Sequence, residues 1–224
     1  MTYLRQILTI AAKDLRSEMR TKEALNASVA FSVVILILFS FAFDQAEGFE
    51  AFLGGLLWLA YSFAGALVLN RSFARELQND CLDALISSPA PPSAIFLGKA
   101  LANYALLLAV ELLSLGVFIV LYDVRFSGKF PLMLLVSLLA TWGMTVIGTT
   151  FSALTVNLTM RELMLPVLIY PLLIPVLMSA MVLTTGLLTD VPLATNMVWL
   201  RVLVAFDIVF TGLAVVFIDD VLVG

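Results

Sequence analysis

The stretch LNRSFARELQNDCLDALISSPAPPSAIFLGKALANY, residues 69–104, separates two apolar segments that are each long enough to cross a bilayer. At 100° per residue its first half predicts a helix with one apolar arc and a separate acidic stripe. The acidic stripe consists of Glu76, Asp80 and Asp83. The helix is expected to end before the proline run that begins at Pro89. Such a helix at a membrane surface either contacts another protein or only caps the bundle, and the pattern favours neither interpretation.

The composition identifies an integral membrane protein. Of the 224 residues, 62% are hydrophobic and 12% are charged, whereas soluble proteins have about 25% charged residues. The single cysteine excludes an intramolecular disulfide, and the absence of histidine excludes a His-based site for zinc or heme. The sequence has no phosphate-binding loop of the G-x-x-x-x-G-K-[ST] type. If ATP is used, another subunit must therefore bind it.

Residues 1–24 predict an amphipathic helix rather than a signal peptide, because charges recur throughout it. Its apolar residues are Leu4, Leu8, Ala11, Leu15 and Met19. The helix is expected to lie in the inner membrane interface with these residues toward the lipid. The alternative is a soluble helix packed on a partner.

Six apolar segments follow, each near or above the ~20 residues that span a bilayer. They are residues 26–43, 49–69, 95–121, 130–156, 163–188 and 198–218. Three prolines, Pro166, Pro171 and Pro175, predict that the fifth segment is kinked or broken. With no repeat and no linker, residues 1–224 are interpreted as one all-α transmembrane domain.

The basic residues predict the orientation. Nine of the 12 Lys and Arg side chains fall on one side of the membrane if six segments span it, and three, Arg125, Lys129 and Arg201, fall on the other. By the positive-inside rule both termini are cytoplasmic. The polar stretch after the second segment, with Cys81, is then cytoplasmic as well.

Two carboxyl groups lie inside apolar segments, Glu111 in the third and Asp207 in the sixth. A charged carboxylate at the bilayer centre costs ~2.5–3.5 kcal/mol, so each is expected to face the bundle and to have a partner or a proton. Arg201 lies on the same segment as Asp207 but points in a different direction, so it is not that partner. A packing hydrogen bond between helices is favoured over a polar pathway or a gate.

Several strings of this sequence match a known family from the first apolar segment to the last. They are FSFAF (39–43), NRSFARE (70–76), FLGKALAN (96–103), RELMLP (161–166) and WLRVLVAFDIVF (199–210). In these strings the chain resembles the heme exporter protein B (CcmB) family, the permease subunits of the bacterial cytochrome c maturation system. The order of elements is also similar to that of ABC-2 type exporter permeases, which place a cytoplasmic coupling helix between spans two and three.

The resemblance implies that this cytoplasmic helix contacts a cytoplasmic ATPase subunit. The expected contact residues are Arg75, Glu76, Asp80, Asp83 and Leu85, with the acidic ones facing the ATPase. It also implies a heme-handling membrane protein with a small companion subunit and a periplasmic heme chaperone as partners. The matching strings contain no mapped heme contact, so the cofactor-binding residues stay unknown.

The predicted function is that of a non-catalytic permease subunit in the bacterial inner membrane. It would couple ATP hydrolysis on a partner subunit to heme export or to release of the heme-loaded chaperone, with no cofactor bound directly. A homodimer in the bilayer is expected, because six spans make half of a transporter, and no nucleic acid is expected as a partner. The alternatives are an ABC-2 permease for a lipid or drug and a membrane scaffold without transport.

Overall fold

The computed structural model describes most of the chain. The described residues are 2–43, 48–73, 76, 87–88, 90–124, 128–155 and 161–223. Within these ranges the regular structure is helical and no strand is present. The prediction of an all-α fold is confirmed.

Seven α-helices are described. They are α1 (Tyr3–Thr21), α2 (Glu23–Phe43), α3 (Leu53–Asn70), α4 (Pro92–Leu121), α5 (Phe130–Leu154), α6 (Arg161–Leu188) and α7 (Met197–Val223). Short 3-10 turns precede α3 and α7. The six helices α2 to α7 are long and apolar enough to cross a membrane, which confirms the six predicted spans. Residues 77–86 of the predicted coupling helix lie outside the described residues.

The polar corner between α1 and α2 is closed by one side chain. Lys22 adopts the left-handed conformation at φ 52°, and its N–H donates to the Glu18 carbonyl over 2.6 Å, which ends α1. The Glu18 carboxylate then accepts the backbone N–H groups of Ala24 and Leu25 over 2.8 and 3.1 Å. Since the first N–H groups of a helix have no partner within it, Glu18 satisfies part of α2 from the end of α1.

Several helix bounds differ from the sequence prediction by a few residues, and the start of α4 has a clear cause. α4 begins at Pro92, three residues before the predicted start at Ile95, because a proline in the first turn needs no N–H partner. α6 runs as one helix through Pro166, Pro171 and Pro175. Of the two outcomes predicted for this segment, a kink or a break, the break is not seen, because a helix packed among neighbours tolerates the loss of single backbone bonds.

The core lies on α3, where aromatic side chains face α4 and α6. Trp58 is fully buried and donates from Nε1 to the Thr184 hydroxyl over 2.9 Å. Tyr61 is also buried, and its hydroxyl donates to the Glu111 carbonyl over 2.9 Å. Both rings thus satisfy their polar atoms inside the bundle, as buried Tyr and Trp usually do.

One end of the bundle gathers α1, the end of α3, the start of α4 and the end of α7. There Phe73 and Phe96 are fully buried in one apolar cluster with Ile218. We call this region the α1 end. It contains the chain just before the predicted coupling helix, and it is where most of the buried charge of the described residues lies.

Candidate functional site

A buried lysine organises the α1 end. Lys99, about two turns inside α4, is 1% exposed. Its ammonium donates to Glu76 Oε1 over 2.7 Å, to Asp14 Oδ2 over 3.1 Å and to the Ser72 carbonyl over 2.9 Å. It also lies 4.8 Å from the centre of the Phe73 ring. All three donors of the ammonium are therefore used.

A second lysine contacts the same two acids from the surface. The Lys13 ammonium lies 3.0 Å from both Asp14 Oδ1 and Glu76 Oε1. Burial on its own would lower the pKa of Lys13, but the charges of Asp14 and Glu76 and the hydrogen bonds to them outweigh burial and raise the pKa. We call Lys13, Asp14, Glu76 and Lys99 the charge cluster. It joins α1, α4 and the chain that follows α3.

The charge cluster forms because α1 lies directly on α4. At Gly98 a side chain would place its Cβ 2.7 Å from the Cβ of Ile10 and 2.9 Å from the carbonyl oxygen of Ile7. The missing side chain lets the two helices touch. Asp14 follows Ile7 by two helical turns on the same face of α1 and so reaches Lys99, the residue after Gly98.

One turn further along α4, Asn103 extends the polar contacts to α5. Its amide nitrogen donates to the Ser72 hydroxyl over 2.8 Å and to the Thr149 hydroxyl over 3.0 Å. Ser72 is thus held twice, through its carbonyl by Lys99 and through its hydroxyl by Asn103. The chain that leaves α3 toward the predicted coupling helix is fixed to α4 before that helix starts.

Glu76 is the acceptor on which both lysines converge, and it is left half satisfied. Oε1 accepts both ammonium groups, whereas Oε2 is buried and has no hydrogen-bond partner among the described residues. Leaving a buried acceptor unpaired costs about 1–3 kcal/mol. Beside Glu76 lies a cavity of about 320 Å³ between α1, α3 and α4, whose lining also includes Ser17, Arg71 and Asn103.

Of the two acids inside the spans, Glu111 forms the expected hydrogen bond between helices. Both of its carboxyl oxygens lie 2.7 Å from the Thr141 hydroxyl of α5. Glu111 is 3% exposed and borders a small cavity of about 150 Å³ that is otherwise mainly apolar. This arrangement fixes α4 against α5.

Asp207 on α7 is arranged differently. It is 7% exposed, and neither carboxyl oxygen has a hydrogen-bond partner within the described part of the chain. A Cβ on Gly143 of α5 would lie 2.6 Å from Asp207 Oδ1. The carboxyl group therefore packs directly against the backbone of α5 at this glycine. The expected packing hydrogen bond is therefore not seen there. Arg201 is exposed, whereas Asp207 of the same helix is buried.

At the opposite end, a second cavity of about 720 Å³ opens between α2, α3 and α6. Its wall is mainly apolar and includes five aromatic side chains, Phe39, Phe43, Phe49, Phe52 and Trp58. Thr185 and Asn196 are among its few polar groups. Within the ranges that the structure describes, no group of three or more His, Cys, Asp or Glu side chains could hold a metal ion.

Comparison with known proteins decides the family. The family model described as "CcmB protein" matches residues 5–219, nearly the whole chain. The chain belongs to the CcmB family. It is 34% identical over 161 residues to the heme exporter protein B of Rhodobacter capsulatus, covering 71% of this chain and 73% of that protein. It is 27% identical over 208 residues to that of Pseudomonas aeruginosa, covering 92% of each.

Two of the strings that resemble the CcmB family meet at the α1 end. NRSFARE supplies Ser72, Phe73 and Glu76, and FLGKALAN supplies Lys99 and Asn103. Their joint contribution to one set of contacts gives a physical reason for both patterns. It also shows what the sequence prediction missed, because Lys99 and Asn103 were not among the candidate site residues. A lysine just inside an apolar segment was the available signal, since it must find a partner.

The predicted coupling residues are only partly placed. Arg75, Asp80, Asp83 and Leu85 lie outside the described residues, so their contact role stays a prediction. Helical spacing predicted that Glu76 faces outward with the rest of the acidic stripe. It does not. It is 7% exposed and points toward Lys99, because a buried ammonium binds the nearest carboxylate.

The outer face of α1 keeps the character predicted for an interfacial helix. Leu4, Leu8 and Met19 are 70%, 63% and 53% exposed on one side of the helix. Ala11, predicted on the same apolar side, is buried instead, as is Ile7, whose carbonyl lies against Gly98 of α4. α1 therefore has one face on the bundle and a neighbouring apolar face that is free to contact lipid.

Proposed function

We propose that this chain is the membrane permease subunit of an ABC transporter that serves cytochrome c biogenesis in the bacterial inner membrane. The family match over residues 5–219, together with six helices able to span the bilayer, supports this function. Two relatives that share the family are named heme exporter protein B. The permease binds no nucleotide itself, and a separate cytoplasmic ATPase subunit hydrolyses ATP.

The charge cluster is the observation that best supports ATP-driven coupling. A partner can drive a membrane subunit only through contacts that differ between its states. The segment expected to contact the ATPase begins just after α3, and there Ser72 and Glu76 are bound to Lys99 of α4 and, through Glu76, to Lys13 of α1. A displacement of that segment is thereby passed to a spanning helix and to the interfacial helix together.

In this arrangement the three acids of the acidic stripe have two different roles. Glu76 holds the start of the coupling segment to the bundle, and Asp80 and Asp83 contact the ATPase. Both termini lie in the cytoplasm, as do Lys99 and the rest of the charge cluster. The subunit acts as a homodimer with two ATPase copies and works with a heme-handling membrane protein, its small companion and a periplasmic heme chaperone.

Heme is the ligand that the assembly handles, and ATP hydrolysis drives its export or the release of the loaded chaperone. The absence of histidine from the sequence agrees with ligation of the heme iron on another subunit. The cavity at the opposite end offers an apolar surface without histidine.

Complementation tests this function. In a strain that lacks the subunit, the native chain should restore c-type cytochromes, and the ATPase should co-purify with it. The double variant Asp80→Lys with Asp83→Lys should insert normally but lose both. The matched control is Asp44→Lys with Glu47→Lys on the loop predicted to be external, which should leave ATPase binding unchanged. Normal ATPase yield with the first pair would show that the acidic stripe is not the contact.

A full set of subunits purified with the chain separates this function from its rivals. A lipid or drug exporter would co-purify with an ATPase but would not support cytochrome c maturation. A scaffold would support maturation with no change in ATP turnover when the coupling segment is altered. We expect loss of maturation and altered ATP turnover together.

A further inference from the structure

The cavity beside the charge cluster is built like a receptor for a cation. Three acids line it, Asp14, Glu18 and Glu76, against two bases, Lys13 and Arg71. The bases are already engaged, because Lys13 contacts Asp14 and Glu76, and Arg71 lies 2.9 Å from Glu23. The acids are engaged as well, Asp14 and Glu76 by Lys13 and Lys99 and Glu18 by the backbone of α2, which leaves Glu76 Oε2 as the acceptor to be filled.

One of these acceptors is buried and unused. Glu76 Oε2 has no hydrogen-bond partner among the described residues, although Glu76 is more than nine-tenths buried. Both lysines donate to Oε1 instead. Since buried polar atoms in native proteins are almost always paired, the missing donor comes from outside the described part of the chain.

The position of the cavity on α1 indicates from which side that donor arrives. Ser17, which lines the cavity, follows the lipid-facing Leu8 by nine residues, and nine steps of 100° place it on the opposite side of the helix. The cavity thus faces away from the apolar side of α1. A group from the aqueous side fits this direction, whereas a lipid would approach from the side of Leu8.

We propose that the cavity receives a cationic side chain, an arginine or lysine, of the ATPase subunit. The cation donates to Glu76 Oε2 and completes the charge cluster from outside. This inference rests on the proposed function, because the occupant belongs to the ATPase. It adds a second contact beside the coupling segment, one that reaches α1, α3 and α4 directly.

Thiol labelling measures both the charge and the occupancy of the cavity. Cys81 is the single cysteine of the chain and is replaced by alanine in every variant. Ser17→Cys then places a thiol in the cavity, and Thr9→Cys, exposed on the same helix outside this cavity, is the matched control. The full chain is reconstituted in nanodiscs and labelled with a trimethylammonium or a sulfonate methanethiosulfonate reagent of similar size.

The cationic reagent should modify Ser17→Cys several-fold faster than the anionic one, and Glu76→Gln should remove most of that preference. Equal rates with native Glu76 would overturn the proposal. Added ATPase should protect Ser17→Cys while Thr9→Cys stays reactive, and this protection is measured with native Glu76, so it does not depend on how well Glu76→Gln folds.

The remaining outcomes separate this inference from the proposed function. If the ATPase binds the nanodiscs but Ser17→Cys stays fully reactive, the cavity does not receive the ATPase and the proposed function still stands. If the ATPase does not bind at all, the proposed function fails. Protection by the bilayer alone, without ATPase, would assign the cavity to a lipid headgroup and would overturn the proposal.

Discussion

Replacing Lys99 by methionine removes the cation at the centre of the charge cluster and nearly keeps the side-chain length. Glu76 and Asp14 would retain only Lys13, whose side chain is 52% exposed, and the Ser72 carbonyl would lose its donor. Removing one partner of a buried ion pair costs about 3–5 kcal/mol, because the remaining charge stays buried. For a chain of about this size, each kcal/mol lowers Tm by about 2–4 °C, so Lys99→Met should lower Tm by roughly 6–20 °C.

The assay is thermal unfolding of the purified subunit in detergent, followed by the fluorescence of its three tryptophans. Lys129→Met is the matched control. Lys129 lies 2.6 Å from Asp190, but the Asp190 side chain is 76% exposed, so that pair should contribute no more than about 1 kcal/mol.

A double variant identifies the cause of the loss. Replacing a whole buried ion pair by apolar residues is often neutral, whereas breaking it is not. Lys99→Met combined with Glu76→Leu should therefore be more stable than Lys99→Met alone. If Lys99→Met lowers Tm no more than Lys129→Met does, the charge cluster does not hold the α1 end together and the reasoning is refuted.

Four further predictions concern the positions of single residues in the membrane and in the bundle. Cys81 should react with a membrane-impermeant thiol reagent only from the cytoplasmic face, and labelling of intact cells would contradict the orientation. Leu8→Glu should release α1 from the bilayer and increase its cleavage by protease in nanodiscs, so unchanged cleavage would argue against lipid contact. Gly98→Val should push α1 off α4 at Ile10 and cost about 1–3 kcal/mol, seen as a lower Tm; an unchanged Tm would show that the helices can part. Asp207→Asn should preserve protein level and cytochrome c maturation, and lost maturation at normal level would require a role for its charge or proton.

The spans could be predicted from sequence because a single local property, an apolar run of about 20 residues, decides them. The site could not, because its contacts join distant parts of the chain. Lys99 and Asp14 are 85 residues apart, and the sequence around one of them does not indicate that the other is its partner. Helical spacing placed Glu76 in an outward stripe with Asp80 and Asp83, but spacing gives directions only relative to a helix axis. The buried ammonium of Lys99 decides which way Glu76 points.

The uninterrupted α6 shows that a local sequence signal can also be outweighed by tertiary packing. Sequence rules for proline consider one helix in isolation and predict that Pro166, Pro171 and Pro175 kink or break it. In the bundle, the buried residues Ile169, Leu173 and Val176 of the same helix hold it in place. Packing with neighbouring helices therefore overrides a strong local signal.

The long sequence separation between α1 and α4 has a consequence for biogenesis. Translation proceeds at about 5–20 residues per second, so the 85 residues from Asp14 to Lys99 take roughly 4–17 s to synthesise. During that interval the site of α1 on α4 does not yet exist. We expect the exposed leucines of α1 to hold it at the bilayer surface until then, since the charge cluster can close only once the third span has been synthesised.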